Sequence, residues 1–433
     1  MALTILTISF TLFLILGVPV AFSIGLCSLL TVVYEGLPVA VVFQKMVAGM
    51  QVFSFLAIPF FILSGELMLY GGIADRIVNF AKALVGHVKG GLGMTNVVAC
   101  TLFGGISGSA VADVSAMGAV LIPVMKREGY DADYAVNVTT HAALVGVLMP
   151  TSLNIIIFSL ASNGRTSVFD LILAGIIPAV VLTACNLAAA YFVAVKRGYP
   201  TGAWQGWGAV WKTFAQAMPG LFVVIIILAG ILSGVFTATE AASVSVLYSL
   251  FLTGVVYRSL SWDGFISALA KAVKTTGIVL LLIGISNAFG YFMSFYEVPD
   301  LAGQWMSSVS ASPWIIFILV NIVLFVLGTF LDMAPTILVC TPIFMPICEK
   351  FGMDPIQFAI VMLLNCALGL NTPPVGTTQF VGCAIGEISV GQVMKTIWPF
   401  YGSLVITMLF ITYIPALSLW LPHMAHAVKA AGG

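Results

Sequence analysis

The residues of this sequence best suited to chemistry are a few polar groups set in long apolar runs. Four carboxylates, Glu66, Asp113, Glu240 and Asp332, interrupt stretches of Leu, Ile, Val, Phe, Ala and Gly. A charge at membrane depth is costly, so each is a functional candidate by default. Hydroxyl and amide side chains cluster near two of them: Ser107 and Ser109; Thr151, Ser152 and Asn154; Asn371, Thr372 and Thr377. They are interleaved with the helix breakers Gly105, Pro150, Gly328, Pro373 and Gly376. Such breakers free main-chain carbonyls and N–H groups. Loose carbonyls, hydroxyl oxygens and a carboxylate suit a sodium ion, while helix N-termini exposed at the same breaks suit an anion. For Asp332 an ion-ligand or helix-cap role stands against a purely structural hydrogen bond. Glu240, in Thr237-Ala238-Thr239-Glu240-Ala241-Ala242, can equally belong to a small-residue packing face.

Other chemistries find no support in the residues. There is no nucleophile paired with a base, no glycine-rich phosphate loop and no pair of acid/base carboxylates. Gly105-Ile106-Ser107-Gly108 is a fragment of a protease-like motif without partners. His141 has no neighbour at metal-ligand spacing and reads as a core histidine. The seven cysteines sit in or beside apolar runs without CxxC spacing, and read as small packing residues.

Elements that would position the polar groups follow from spacing. In 90–126 and 312–348, two apolar arms of about 14–18 residues flank a helix-breaking tip, Gly104–Ala110 and Gly328–Thr336. Arms that short suit re-entrant hairpins. Each hairpin precedes a span with a broken middle: 132–161, broken at Gly146–Asn154, and 355–386, broken at Gly369–Thr377. A shift of 223 positions superposes Gly105 on Gly328, Pro123 on Pro346, Gly129 on Gly352, Asp131 on Asp354, Val138 on Val361, Gly146 on Gly369 and Pro150 on Pro373. Six of these seven identities are Gly, Pro or Asp, residues that fix backbone shape. The expectation is two repeats, 1–213 and 214–433, inverted in the membrane. Broken spans at matching positions of two halves point to a transporter's binding site.

Composition agrees. Of 433 residues 61% are apolar and 7% charged, and the mean hydropathy is +1.14. A soluble fold cannot cover that much apolar surface. Apolar runs of about 20 residues exclude a transmembrane barrel and indicate an all-α polytopic membrane protein. Sixteen Lys and Arg balance sixteen Asp and Glu, so no basic patch suggests nucleic acid. Spans are expected near 3–33, 47–70, 74–88, 132–161, 168–195, 215–257, 275–296, 355–386 and 396–421. The 215–257 run is one tilted helix or two broken near Gly234. The piece 258–274 reads as an amphipathic surface helix. The run Leu3–Val33 is too long for a cleaved leader and reads as a retained span. Lys89, Lys126-Arg127 and Lys196-Arg197 suggest that the first hairpin opens to the cytoplasm. Arg258, Lys271 and Lys274 would then fall outside, so charge bias alone leaves the orientation open.

The stretches "FGGISGSAVADVSAMG", "GVFTATEAA", "GTFLDMAPTILVCTPIFMPI" and "LNTPPVGT" together resemble the large membrane (M) subunit of the tripartite ATP-independent periplasmic (TRAP) transporters of the C4-dicarboxylate type. The likeness runs from "GVPVAFSIG" near residue 17 to the last span. It implies an elevator-type, sodium-driven transporter of inverted repeats in the bacterial inner membrane, without enzymatic activity or cofactor beyond Na⁺. It also implies two partners, a small four-helix membrane subunit and a periplasmic solute-binding protein, and a small organic anion as substrate. Carried over by position, one sodium site lies between Gly104–Ser109 and Pro150–Asn154. A second lies between Gly328–Asp332 and Asn371–Thr377. The sequence departs from the family at Phe236 and Thr151, where the family usually and often, respectively, has proline. Rival readings are a stand-alone sodium/anion symporter and, from another class, an intramembrane enzyme or structural subunit.

Overall fold

The computed structural model describes residues 1–310, 312–374 and 376–432. Val375, inside the second break, lies outside the described residues. The chain opens with α1 (Ala2–Ile15), α2 (Val20–Tyr34), α3 (Ala40–Met50), α4 (Ala57–Tyr70) and α5 (Ile73–Val85). The first hairpin is α6 (Gly91–Ser107) and α7 (Ala110–Arg127). The first broken span is α8 (Ala132–Ala143), a tight turn Leu144–Leu148, and α9 (Leu153–Ala161). Next come α10 (Val168–Arg197), α11 (Trp207–Leu232), α12 (Ala238–Phe251), α13 (Trp262–Phe295) and α14 (Val298–Val309). The second hairpin is α15 (Pro313–Phe330) and α16 (Met333–Lys350), and its broken span is α17 (Pro355–Leu370) and α18 (Thr377–Gly386). The chain closes with α19 (Val390–Met394), α20 (Trp398–Tyr413) and α21 (Ala416–Gly432).

Several expected spans are drawn differently. The run 3–33 is two helices, because Gly17 takes φ +77° and Pro19 then starts α2. The 215–257 run is also two: Gly234 takes φ +72° and Thr237 opens α12. There the Thr237 hydroxyl accepts the Glu240 N–H at 3.3 Å, while Glu240 accepts the Thr237 N–H at 2.8 Å. Glu240 is thus half of a capping box, a helix-start signal on the exposed surface. The piece 258–274 is no separate surface helix. No proline interrupts Trp262–Phe295, and α13 runs unbroken for 34 residues, about 51 Å at 1.5 Å per residue. The surface helix is instead α5, bent 71° from α4, with Ile73, Ile77 and Ala81 buried beneath and Arg76 and Lys82 on its polar side. Helix α14 was not anticipated from the sequence.

Lipid tails give helices little hydrophobic reason to associate, so close approach and polar contacts do the joining. Asn96 donates to Thr139 at 2.6 Å between α6 and α8, and Asn365 donates to Asn321 at 2.6 Å between α17 and α15. Each hairpin is thereby fastened to the broken span that follows it. At the crossings glycine meets glycine. A Cβ on Gly104 would stand 2.7 Å from the Gly146 Cα, and one on Gly369 would stand 2.3 Å from the Gly328 carbonyl.

Beyond their breaks the two spans exchange partners: α18 packs on α7 of the first hairpin and α9 on α16 of the second. Lys126 donates to the Gly386 carbonyl at 3.0 Å, joining the open end of the first hairpin to the end of α18. Arg165 meets Glu349 at 2.6 Å, joining the open end of the second to the end of α9. The hairpins therefore enter from opposite faces. Lys82–Glu128, the stacking of Arg76 on Tyr257 and the Arg197–Asp133 pair gather most basic residues, those around Arg258 included, at the first hairpin's end. Lys45, Arg165 and Lys350 belong to the other end. The positive-inside bias assigns the basic end to the cytoplasm. In the loop after α10, burial pushes the Tyr199 phenol up to about 12, and it donates to Asp131 at 2.6 Å as a neutral hydroxyl.

Candidate functional site

The two hairpin tips reach one cavity of about 390 Å³. Ser107, Ser109, Thr151 and Asn154 line it from the first hairpin and break, and Asp332 lines it from the second tip. Its remaining charged groups are Glu66 on α4 and Lys271 on α13, paired at 2.9 Å. The sequence alone places Lys271 on a surface helix. The uninterrupted, proline-free course of α13 was the signal that would have placed it inside.

At the first tip Gly108 takes φ +62°, and a Cβ there would lie 2.3 Å from the Thr151 carbonyl. Tip and break therefore touch main chain to main chain. The Thr151 hydroxyl donates to the Gly105 carbonyl at 3.0 Å. Ser109 caps α7, accepting the Ala112 N–H at 3.5 Å, and the Ser107 hydroxyl accepts the Ser109 N–H at 3.2 Å while donating to Asp113. Asp113 is fully buried, and its other carboxylate oxygen, Oδ2, has no partner among the described residues. The buried Ser152 hydroxyl is likewise unpartnered, and Pro150 is buried beside it. A buried carboxylate oxygen without a partner carries a large desolvation cost. Asp113 Oδ2 and the Ser152 hydroxyl are two oxygens at this tip and break that are left over for a ligand. Asp113 is thus the carboxylate best placed at this tip, while Ser107 serves mainly to hold it.

The second tip is built differently. Asp332 starts α16, its carbonyl accepting the Thr336 N–H at 3.1 Å, but its carboxylate makes no capping bond and faces the cavity. Gly328 and Gly369 form the crossing. In the second break Asn371 is buried; its carbonyl accepts the Tyr401 hydroxyl at 2.9 Å, and its side-chain oxygen accepts the Thr378 hydroxyl. The Thr372 hydroxyl is engaged by Tyr401 at 2.8 Å and the Leu368 carbonyl at 2.7 Å. The Asn371 amide nitrogen and the Thr377 hydroxyl are buried without a partner among the described residues. Pro373 is joined to Pro374 by a cis bond, and Gly376 leads into α18. Leu370 reaches the cavity wall, while Asn371, Thr372, Pro373, Gly376 and Thr377 lie behind it. No hydrogen bond links Asp332 to this break among the described residues.

At Phe236 a main-chain N–H, and at Thr151 a side-chain hydroxyl, makes a bond that proline could not. The Phe236 N–H donates to the Gly230 carbonyl at 3.0 Å, and Thr151 supplies the bond to Gly105.

Facing hairpins and interrupted helices around one cavity that holds Glu66, Lys271 and Asp332 among apolar side chains define a polytopic membrane permease. The crystal structure of the Alcanivorax borkumensis YdaH transporter shares the fold, with a TM-score of 0.63 at 13% identity over 88% of each chain. The chain belongs to the family "Tripartite ATP-independent periplasmic transporter, DctM component", whose profile matches residues 7–417. It is 36% identical over 411 residues to the sialic acid TRAP transporter large permease protein SiaM of Vibrio cholerae, covering 94% of this chain and 95% of that one. It is 32% identical over 422 residues to the C4-dicarboxylate TRAP transporter large permease protein DctM of Rhodobacter capsulatus, covering 94% and 96%. An uncharacterized protein, YgiK of Salmonella typhimurium, is 42% identical over 417 residues, covering 96% and 95%. The chain is therefore a multi-pass transport protein of the bacterial inner membrane and not an enzyme.

Proposed function

We propose that this chain is the large subunit of a sodium-driven secondary transporter that imports a small organic anion. A periplasmic solute-binding protein delivers the anion, and a small four-helix membrane subunit is docked on the scaffold. The convergence of both hairpin tips on one cavity carries the reading. A carboxylate there would find the Lys271 ammonium and the helix starts at Ser109 and Asp332. Na⁺ would be held at the first tip by Asp113, Ser152 and carbonyls around Gly104–Ser109 and Pro150–Asn154. At the second it would be held between Gly328–Asp332 and Asn371–Thr377. Sodium supplies the driving force, and its charge offsets that of the substrate. The relatives named for C4-dicarboxylates and sialic acid both handle organic acids, which favours a carboxylate for this chain too.

The repeats 1–213 and 214–433 would each give a hairpin and broken span to a moving unit, with α3, α4, α12 and α13 in a fixed one. Sliding of the first past the second would carry the cavity across the membrane as an elevator. The test is uptake into proteoliposomes holding this chain and the small subunit. A labelled organic acid is added with its binding protein, with and without an inward Na⁺ gradient. Uptake that needs gradient and binding protein together supports the proposal. Full-rate uptake by this chain alone from free substrate would favour a stand-alone symporter.

A further inference from the structure

A second, larger cavity of about 600 Å³ lies toward the end of the molecule opposite the basic face. It lies one turn beyond the first along the same helices. Three helices line both, in successive turns. On α13, Lys271, Thr275 and Val279 face the central cavity, and Ile283, Ser286 and Gly290 face the second. On α9, Asn154 and Ile157 give way to Ser159 and Leu160. On α16, Asp332 and Ala334 give way to Leu338 and Pro342. Val279 and Ile283 are four residues apart, about 6 Å along the helix.

Among the described residues, the wall of this outer cavity carries one charged side chain, Lys45. Its ammonium lies 4.2 Å from the centre of the Tyr291 ring, and among the described residues no carboxylate pairs with it. Ser286 is 3% exposed, and its hydroxyl has no partner among the described residues. Asn287 donates to the Lys45 carbonyl at 2.7 Å, tying α13 to α3. The contact is tight, since a Cβ on Gly49 would stand 2.5 Å from the Asn287 side chain. Lys45 and Ser286 are therefore held on a rigid seam. An ammonium without a carboxylate partner, in a recess also lined by Ser159, Asn163 and Ser294, focuses its field into the recess and attracts anions.

We propose that this outer cavity is an antechamber that binds a small carboxylate on Lys45 and Ser286 before it passes to the central cavity. Lys45 supplies the charge and the Ser286 hydroxyl a directed hydrogen bond. The inference rests on the transport reading above, and its test is independent of turnover. Ala48 is exposed in the same wall, three residues from Lys45 on one face of α3. Ala48→Cys is introduced into a chain whose native cysteines are replaced, assembled with the small subunit in right-side-out vesicles. Its labelling by an anionic and by a cationic thiosulfonate is timed, each rate divided by that for free cysteine. The anionic reagent should react at least about fivefold faster, an advantage that Lys45→Gln abolishes. Succinate at millimolar concentration should slow labelling in the Lys45 chain, less with Ser286→Ala, and not with Lys45→Gln.

Equal rates for the two reagents, or a preference that survives Lys45→Gln, would overturn the proposal. So would labelling slowed by phosphatidylglycerol in the vesicles but not by succinate, which would make the cavity a lipid headgroup site. No sodium gradient is needed. Charge-selective labelling without gradient-driven uptake would sink the transport reading alone, and uptake without it the antechamber alone.

Discussion

The Asp113 carboxylate is pressed against Gly146, where a Cβ would stand 2.6 Å from Oδ2 and 3.2 Å from the Gly104 Cα. Both the first hairpin tip and the helix crossing beneath it depend on that bare α-carbon. Gly146→Ala should separate α6 from the turn after α8, at a cost of about 1–3 kcal/mol of overpacking. The expected outcome is a lower melting temperature and loss of uptake together. Gly129→Ala, at an open turn, should disturb stability without touching uptake per folded molecule.

Asp113→Asn and Asp332→Asn separate the two tips. Asp113 is sealed inside the first tip and Asp332 opens to the cavity. Each substitution should raise the sodium concentration for half-maximal uptake by at least about tenfold, the order expected when one charged ligand is removed. Asp332→Asn should also change the substrate KM. A wild-type sodium response in Asp332→Asn would make that residue structural.

The Glu66–Lys271 pair predicts an asymmetric outcome. If Lys271 receives the anion, Lys271→Gln should raise KM by at least about tenfold, while Glu66→Gln should leave or lower it, since the ammonium is then uncontested. Equal losses from both, with no further loss in the double variant, would show a pair that serves packing alone.

Thr151→Val removes the hydroxyl that ties the first break to Gly105 and keeps the shape of the side chain. The expected cost is about 0.6–1 kcal/mol, the scale of an interhelical hydrogen bond in a membrane. Thr151→Ser should restore the melting temperature. A Val variant as stable as the parent would show that the Gly108 contact alone holds the tip.

Inversion of the hairpins is checked by cysteine labelling in intact cells. Cysteines at 89 and 126 should react from the cytoplasm, and those at 310 and 349 from outside. Reaction of both pairs from one side would contradict the opposed entry of α6–α7 and α15–α16.

How far the sequence leads can be judged from particular residues. Gly108, the Pro150 and Pro373 breaks and the seven matched positions mark hairpins and interruptions because backbone shape is a local property, written by glycine and proline. Glu240 misleads because a capping glutamate and a buried one look alike in an apolar run. Lys271 misleads for the opposite reason: its partner Glu66 is some two hundred residues away, and pairing at that separation leaves no local trace. The dominance of Asp113 at the first tip was equally hidden, since Gly104 and Gly146 enclose it only after the helices cross. Nothing in the sequence announced the cavity of Lys45, whose walls come from five separate helices.

The exchange of half-helices between the hairpins bears on how the protein is made. The surface of α7 that receives α18 has no cover until the ribosome has passed residue 386. Until then Lys126 lacks the Gly386 carbonyl, and the apolar groove beside Gly118 lacks Ile385. The first half must wait in the bilayer as an incomplete body, and neither half is a self-sufficient folding unit. A chain stopped between the repeats should be an early target for membrane proteases. The two halves, expressed as separate polypeptides, should each persist only in the presence of the other.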